Sequence, residues 1–80
     1  MPKKTPLTPF GKMCRKLRID TDESIKDFAK RINYSVGMIS GFETGSRPVP
    51  DYYVERVLQA FDLTELEKDN LRELAKQRFT

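Results

Sequence analysis

Apolar residues recur every three or four positions in five segments of this 80-residue chain, a pattern that predicts five helices. The first helix follows Thr8, an N-cap residue, has Pro9 in a favoured first position and extends to about Ile19. Residues 1–7 contain two prolines and two lysines without periodicity, and they are predicted to form a flexible basic arm. The apolar stripe of the first helix consists of Phe10, Cys14 and Leu17.

A capping box opens the second helix, because Ser24 is followed three positions later by the acid Asp27. This helix is expected to end near Ile32, where Asn33 suits a left-handed terminating residue. Its single apolar face consists of Ile25, Phe28, Ala29 and Ile32.

The third helix has its start signal at Ser35 and its stop signal at Gly45, so a very short turn separates it from the second helix. Two short helices joined in this way form a helix-turn-helix, here over residues 24–45. On a helical wheel the large apolar side chains share the face that packs. The opposite, outward face contains only small, uncharged residues, which are Val36, Gly37, Ser40, Gly41 and Thr44. Its two glycines each weaken the helix by about 1 kcal/mol relative to alanine, so they need an explanation other than core packing.

Asp51 is predicted to cap the fourth helix, which is expected to end at Asp62 and Leu63. The adjacent Tyr52 and Tyr53 cannot both be buried on one helix, and the pattern leaves open which of them packs. The apolar positions of this helix are Val54, Val57, Leu58 and Phe61.

A full capping box of Thr64 and Glu67 opens the fifth helix, which is predicted to cover residues 64–79. Its apolar residues spread over an arc of about 220°, wider than docking on one core requires, and this excess predicts a homodimer through the fifth helix and the end of the fourth. These residues are Leu66, Leu71, Leu74, Ala75 and Phe79. The predicted fold is an all-α, five-helix single domain over residues 8–80.

The composition excludes several common kinds of catalytic site, because the chain has no histidine and Cys14 is its only cysteine. No cluster can then form a tetrahedral zinc site or a thiol–imidazole pair, and no phosphate-binding glycine motif is present. We expect no enzyme activity, metal or cofactor. No apolar run approaches the roughly 18 residues that a membrane helix needs, and a cytoplasmic protein is predicted.

Charge is divided unevenly along the chain. Residues 1–50 contain ten Lys or Arg and five Asp or Glu, a net of +5, whereas residues 51–80 contain five and seven, a net of −2. A basic half of this kind favours a polyanionic partner, although an ordinary solvated surface is the alternative.

The runs FGKMCRKLR, SIKDFAKRI, SVGMISGFETGSR and VERVLQAFDL resemble the lambda-repressor-like helix-turn-helix domains of phage repressors, Cro proteins and xenobiotic-response-element regulators. The resemblance covers roughly residues 8–63. It implies a sequence-specific regulator, a repressor by expectation, that binds a double-stranded DNA operator as a dimer with its third helix in the major groove. It also implies a structural ion pair between Arg18 and Glu43.

Carried over by position, the resemblance implies two sets of DNA contacts. The residues that would face bases are Ser35, Val36, Gly37, Ser40, Gly41 and Thr44. The residues that it implies would meet phosphates are Ser24, Ile25, Ser46 and Arg47; Lys26 and Lys30 are added because their spacing of four on the second helix suits a flank that faces phosphates. None of the base-facing side chains can form a bidentate pair with guanine or adenine, so sequence preference is expected to depend partly on DNA shape. The alternative is a helix-turn-helix protein whose main partner is another protein, such as a toxin or an antirepressor.

Overall fold

A computed structural model describes residues 7–76 of the chain, and this part contains five α-helices and no strand. The prediction of an all-α protein with five helices is therefore confirmed for these residues. Residues 1–6 of the arm predicted over residues 1–7, and the end of the predicted fifth helix, including Phe79, lie outside the described range. The helices are α1 (Pro9–Asp20), α2 (Ile25–Ile32), α3 (Val36–Thr44), α4 (Asp51–Ala60) and α5 (Glu65–Lys76).

Both predicted capping boxes are confirmed. At the start of α2 the Asp27 N–H donates to Ser24 Oγ over 3.0 Å, and the Ser24 N–H donates back to Asp27 Oδ2 over 3.3 Å. Ahead of α5 the Glu67 N–H donates to Thr64 Oγ1 and the Thr64 N–H to Glu67 Oε1, over 3.2 and 2.9 Å. These bonds satisfy donors that a helix N-terminus otherwise leaves unpaired.

The connection between α2 and α3 is three residues long and has the predicted end signals. Asn33 adopts the left-handed conformation with φ 62°, and Ser35 caps α3 by accepting from the Met38 N–H over 3.1 Å. Gly45 ends α3 with φ 84°, a left-handed value that glycine adopts without steric cost.

Helix α4 differs from its prediction at both ends. Pro50 occupies the N-cap position without a side-chain bond, and Asp51 is the first helical residue, so the prediction of Asp51 as the cap is wrong. The helix ends at Ala60, earlier than predicted, and Phe61 follows in an extended conformation. This change of direction carries the Phe61 ring onto Phe28, with the ring centroids 5.3 Å apart.

The core lies where all five helices meet, and its largest fully buried side chain is Tyr53. Tyr52 is 66% exposed, which settles the question that the sequence left open. Burial raises the pKa of the Tyr53 phenol, and burial likewise raises the pKa of the Cys14 thiol. Cys14 therefore behaves as a small apolar core residue. None of the helices within residues 7–76 combines the length and apolar character needed to cross a membrane.

Candidate nucleic-acid interface

An ion pair holds one edge of α3. Arg18, near the end of α1, and Glu43, in the last turn of α3, form a two-bonded pair in which Arg18 Nη2 donates to Glu43 Oε1 over 3.0 Å and Nη1 donates to Oε2. The two residues are only 7% and 2% exposed. A buried pair with both bonds made fixes orientation, because removing either partner leaves the other charge without compensation.

The backbone of Glu43 is held as well, by a contact that sequence reasoning missed. Its carbonyl oxygen accepts from the Thr8 N–H at 2.9 Å and from the Thr8 hydroxyl at 3.1 Å. Gly11 makes this approach possible, since a Cβ at that position would lie 2.1 Å from the same oxygen. The only sign of this contact in the sequence is a glycine in the first turn of a helix. A glycine alone does not identify its partner, which is Glu43, 32 residues away.

The outward face of α3 is open at three of its predicted positions. Val36 is 39% exposed, Ser40 is exposed, and a Cβ built at Gly37 would have no neighbour within 4 Å. Thr44 is partly buried, and its hydroxyl donates to the Ser40 carbonyl over 2.9 Å. Within the described part of the chain, α3 therefore presents a small and uncharged surface, named here the open face: Val36, Gly37, Ser40 and Thr44.

Gly41 does not belong to the open face, so the prediction that it lies outward is wrong. It is buried, and a Cβ there would lie 2.7 Å from Cδ and 2.9 Å from Cγ of Arg47. The chain turns back after Gly45, and the Arg47 N–H donates to the Gly41 carbonyl over 3.1 Å. Ser46 lies in the same turn, with its hydroxyl 3.3 Å from that of Thr44.

Helix α2 carries the other predicted phosphate contacts, with Lys26 in its first turn and Lys30 in its last. Lys26 and Lys30 are exposed and lie four positions apart, and the N–H groups of Ile25 and Lys26 make no hydrogen bond with a described residue. Such unpaired donors, together with the helix dipole, favour an anion. The Asp27 carboxylate at the same helix end opposes it, so we expect the two lysines to provide most of the attraction.

Most of the cations that make no ion pair with a described residue belong to the N-terminal part of the described chain, residues 7–50. Residues 7–50 contain eight Lys or Arg and five Asp or Glu, and residues 51–76 contain four and seven, so the described residues balance at twelve each. Four of the six ion pairs among them lie within α5 or between α4 and α5. Six cations of residues 7–50 make no ion pair with a described residue: Lys12, Arg15, Lys16, Lys26, Lys30 and Arg47.

Arg31 links α2 to Glu23 and to Ala60 at the end of α4, a role that the sequence did not predict. Its Nε and Nη2 donate to the Glu23 carboxylate over 2.8 and 2.7 Å, its Nη1 donates to the Ala60 carbonyl, and its guanidinium lies over the rings of Phe28 and Phe61. The hydrogen bonds from Arg31 lower the pKa of the Glu23 carboxyl. A cation that stacks on two rings and binds a carboxylate restricts how α2 can move.

Comparisons with known protein families, curated proteins and solved structures found no match for this chain. Among residues 7–76, no group of three or more His, Cys, Asp or Glu side chains is arranged to hold a metal ion.

Proposed function

We propose that this protein is a sequence-specific, double-stranded DNA-binding regulator of transcription that represses by occupying its operator. In this proposal α2 and α3 act as a helix-turn-helix of the lambda-repressor-like type, and α3 enters the major groove. The observation that carries it is the contrast on α3 between one edge fixed by Glu43 and an open face with only small, uncharged side chains. A major groove about 12 Å wide accepts a helix of this kind.

The open face determines how DNA would be read. Val36 suits a thymine methyl group, the Ser40 hydroxyl can bond a base edge, and Gly37 lets the backbone approach the groove floor. The hydroxyls of Ser35 and Thr44 already bond the helix backbone, so they are weaker candidates for base contacts. Sequence preference then depends partly on the shape and deformability of the DNA.

Phosphate contacts would come from cations near the helix-turn-helix. Lys26 in the first turn of α2, Lys30 in its last turn and Arg47 beyond α3 make no ion pair with a described residue. Each phosphate that such a cation neutralises releases bound counterions, so DNA binding should weaken steeply as salt increases.

We also propose that the protein binds its operator as a two-fold dimer. Leu71 is buried and Leu74 and Ala75 pack partly on the core, but Leu66 on the same helix is 79% exposed. Contact between two copies through this surface would place two α3 helices about 34 Å apart, one turn of DNA. Sedimentation should show a dimer on DNA, and a monomer both free at high concentration and on DNA would contradict the assembly.

Selection of bound sequences from a random double-stranded DNA library tests the proposed function. A sequence motif should emerge, and Ser40→Glu should abolish binding to it by placing a negative charge on the open face. Ile19→Glu, at a side chain of α1 that is 66% exposed and lies on neither the open face nor the proposed dimer surface, is the control and should retain binding. Failure to enrich any sequence, or equal effects of the two variants, would refute the proposal.

A further inference from the structure

Arg47 is held against α3 by three features of the chain. Its N–H donates to the Gly41 carbonyl over 3.1 Å, and Pro48 follows it, which restricts the backbone of Arg47 to extended conformations. Its aliphatic stem then lies over Gly41, where a Cβ would come within 2.7 Å of Cδ, 2.9 Å of Cγ and 3.2 Å of Nε. The stem therefore occupies the space that any larger residue at position 41 would need.

The place of Gly41 on the helix puts this side chain beside the open face. At about 100° per residue, Gly41 lies about 40° from Gly37, on the edge opposite the one that Glu43 occupies. Helix α3 itself contains no lysine or arginine, and its one charged residue is Glu43, which is buried in its ion pair. A positive charge at this edge of α3 can come from Arg47, which is exposed and makes no ion pair with a described residue.

We infer that Gly41 is a positioning residue. Because it has no side chain, the aliphatic stem of Arg47 packs directly over it, and this packing contact is called the seat. The seat holds the guanidinium at the edge of the open face, where it binds a phosphate of the DNA backbone. The seat is a property of the protein alone, whereas the phosphate contact rests on the proposed function. On this account position 41 is glycine because the stem of Arg47 occupies the space of a larger side chain. Position 37 is glycine because the backbone there approaches the floor of the groove.

Four proteins test the contact with DNA: the unchanged chain, Gly41→Ala, Arg47→Ala and the double variant. Affinity for the selected duplex is measured at several salt concentrations. Arg47→Ala and Gly41→Ala should each weaken binding about tenfold, the loss of one charged hydrogen bond, and each should reduce the slope of log K against log salt by about 1. Adding Gly41→Ala to Arg47→Ala should cause no further loss. Unchanged affinity and slope in Gly41→Ala, or an equal loss in both backgrounds, would overturn the inference.

Thermal unfolding tests the seat without DNA. Gly41→Ala should raise the Tm more in the Arg47→Ala background than in the unchanged chain, because the helix gains from alanine and no stem is displaced. Gly37→Ala is the matched control and should raise the Tm equally in both backgrounds, since nothing lies near that position. The Nε–H signal of Arg47 in NMR spectra should move in Gly41→Ala and not in Gly37→Ala. If Gly41→Ala shows the background-dependent Tm change and the moved Arg47 signal in a protein that binds no duplex, the packing of Arg47 on Gly41 is supported and the proposed function is refuted. If neither effect is observed, the inferred packing is wrong.

Discussion

Glu43 and the open face of α3 differ in their contacts with the rest of the protein. At Glu43 the side chain binds Arg18 and the backbone carbonyl accepts two hydrogen bonds from Thr8, all in the interior. On the open face next to it, Gly37 has no neighbour within 4 Å and Ser40 is exposed. The difference teaches that a helix containing two weak helix formers can still be held firmly from one side, so its other side is free to be shaped for a ligand.

Glu43→Ala is expected to have the largest effect on this contrast. It leaves the Arg18 guanidinium buried without its partner, which should cost about 3–5 kcal/mol in the free energy of unfolding. Glu73→Ala is the control, because Glu73 and Lys76 form an exposed pair at 3.5 Å that should contribute less than about 1 kcal/mol. Urea denaturation measures both variants, and equal losses would show that the buried pair does not hold α3.

Gly11→Ala should have the next largest effect. The new methyl group would meet the Glu43 carbonyl, so α1 and α3 must separate, at a cost of about 1–3 kcal/mol for overpacking. The same denaturation measurement detects this loss. A more stable Gly11→Ala protein would contradict the close approach of the two helices.

Gly37→Ala should change stability in the opposite direction, although the substitution is chemically the same. Position 37 is open, so replacing glycine should stabilise α3 by about 1 kcal/mol or less. We expect this variant to bind the selected DNA more weakly, because the methyl group lies on the open face. A loss of stability would show that the open face is in contact with another part of the protein.

The smallest expected effect is on how the free energy of unfolding depends on pH, through the contact between Arg31 of α2 and Glu23. Arg31 holds the pKa of Glu23 below its ordinary value, so the folded pKa lies below the unfolded one. The contribution of Glu23 is then present above the unfolded pKa and is lost as pH falls through the folded pKa. Glu23→Gln should make the free energy of unfolding less dependent on pH below about pH 5. Glu65→Gln, at a side chain 85% exposed, is the control and should keep the original dependence.

The sequence predicted most accurately what depends on near neighbours along the chain. The capping box at Ser24 and the left-handed ends at Asn33 and Gly45 are local, and all are present. Gly41 was misjudged because a helical wheel does not include the segment that turns back after the helix and covers it. The contacts that Gly11 and Arg31 make lie 32 and 29 residues away, at Glu43 and Ala60, and no periodic pattern encodes them.

Titration of the ¹⁵N-labelled protein with the selected duplex tests the central claim, that the open face of α3 binds DNA. The largest amide shift changes should fall on Val36, Gly37, Ser40 and the first turn of α2, with little change along α5 away from any dimer contact. Shift changes concentrated on α4 and α5, with the open face unaffected, would contradict the account.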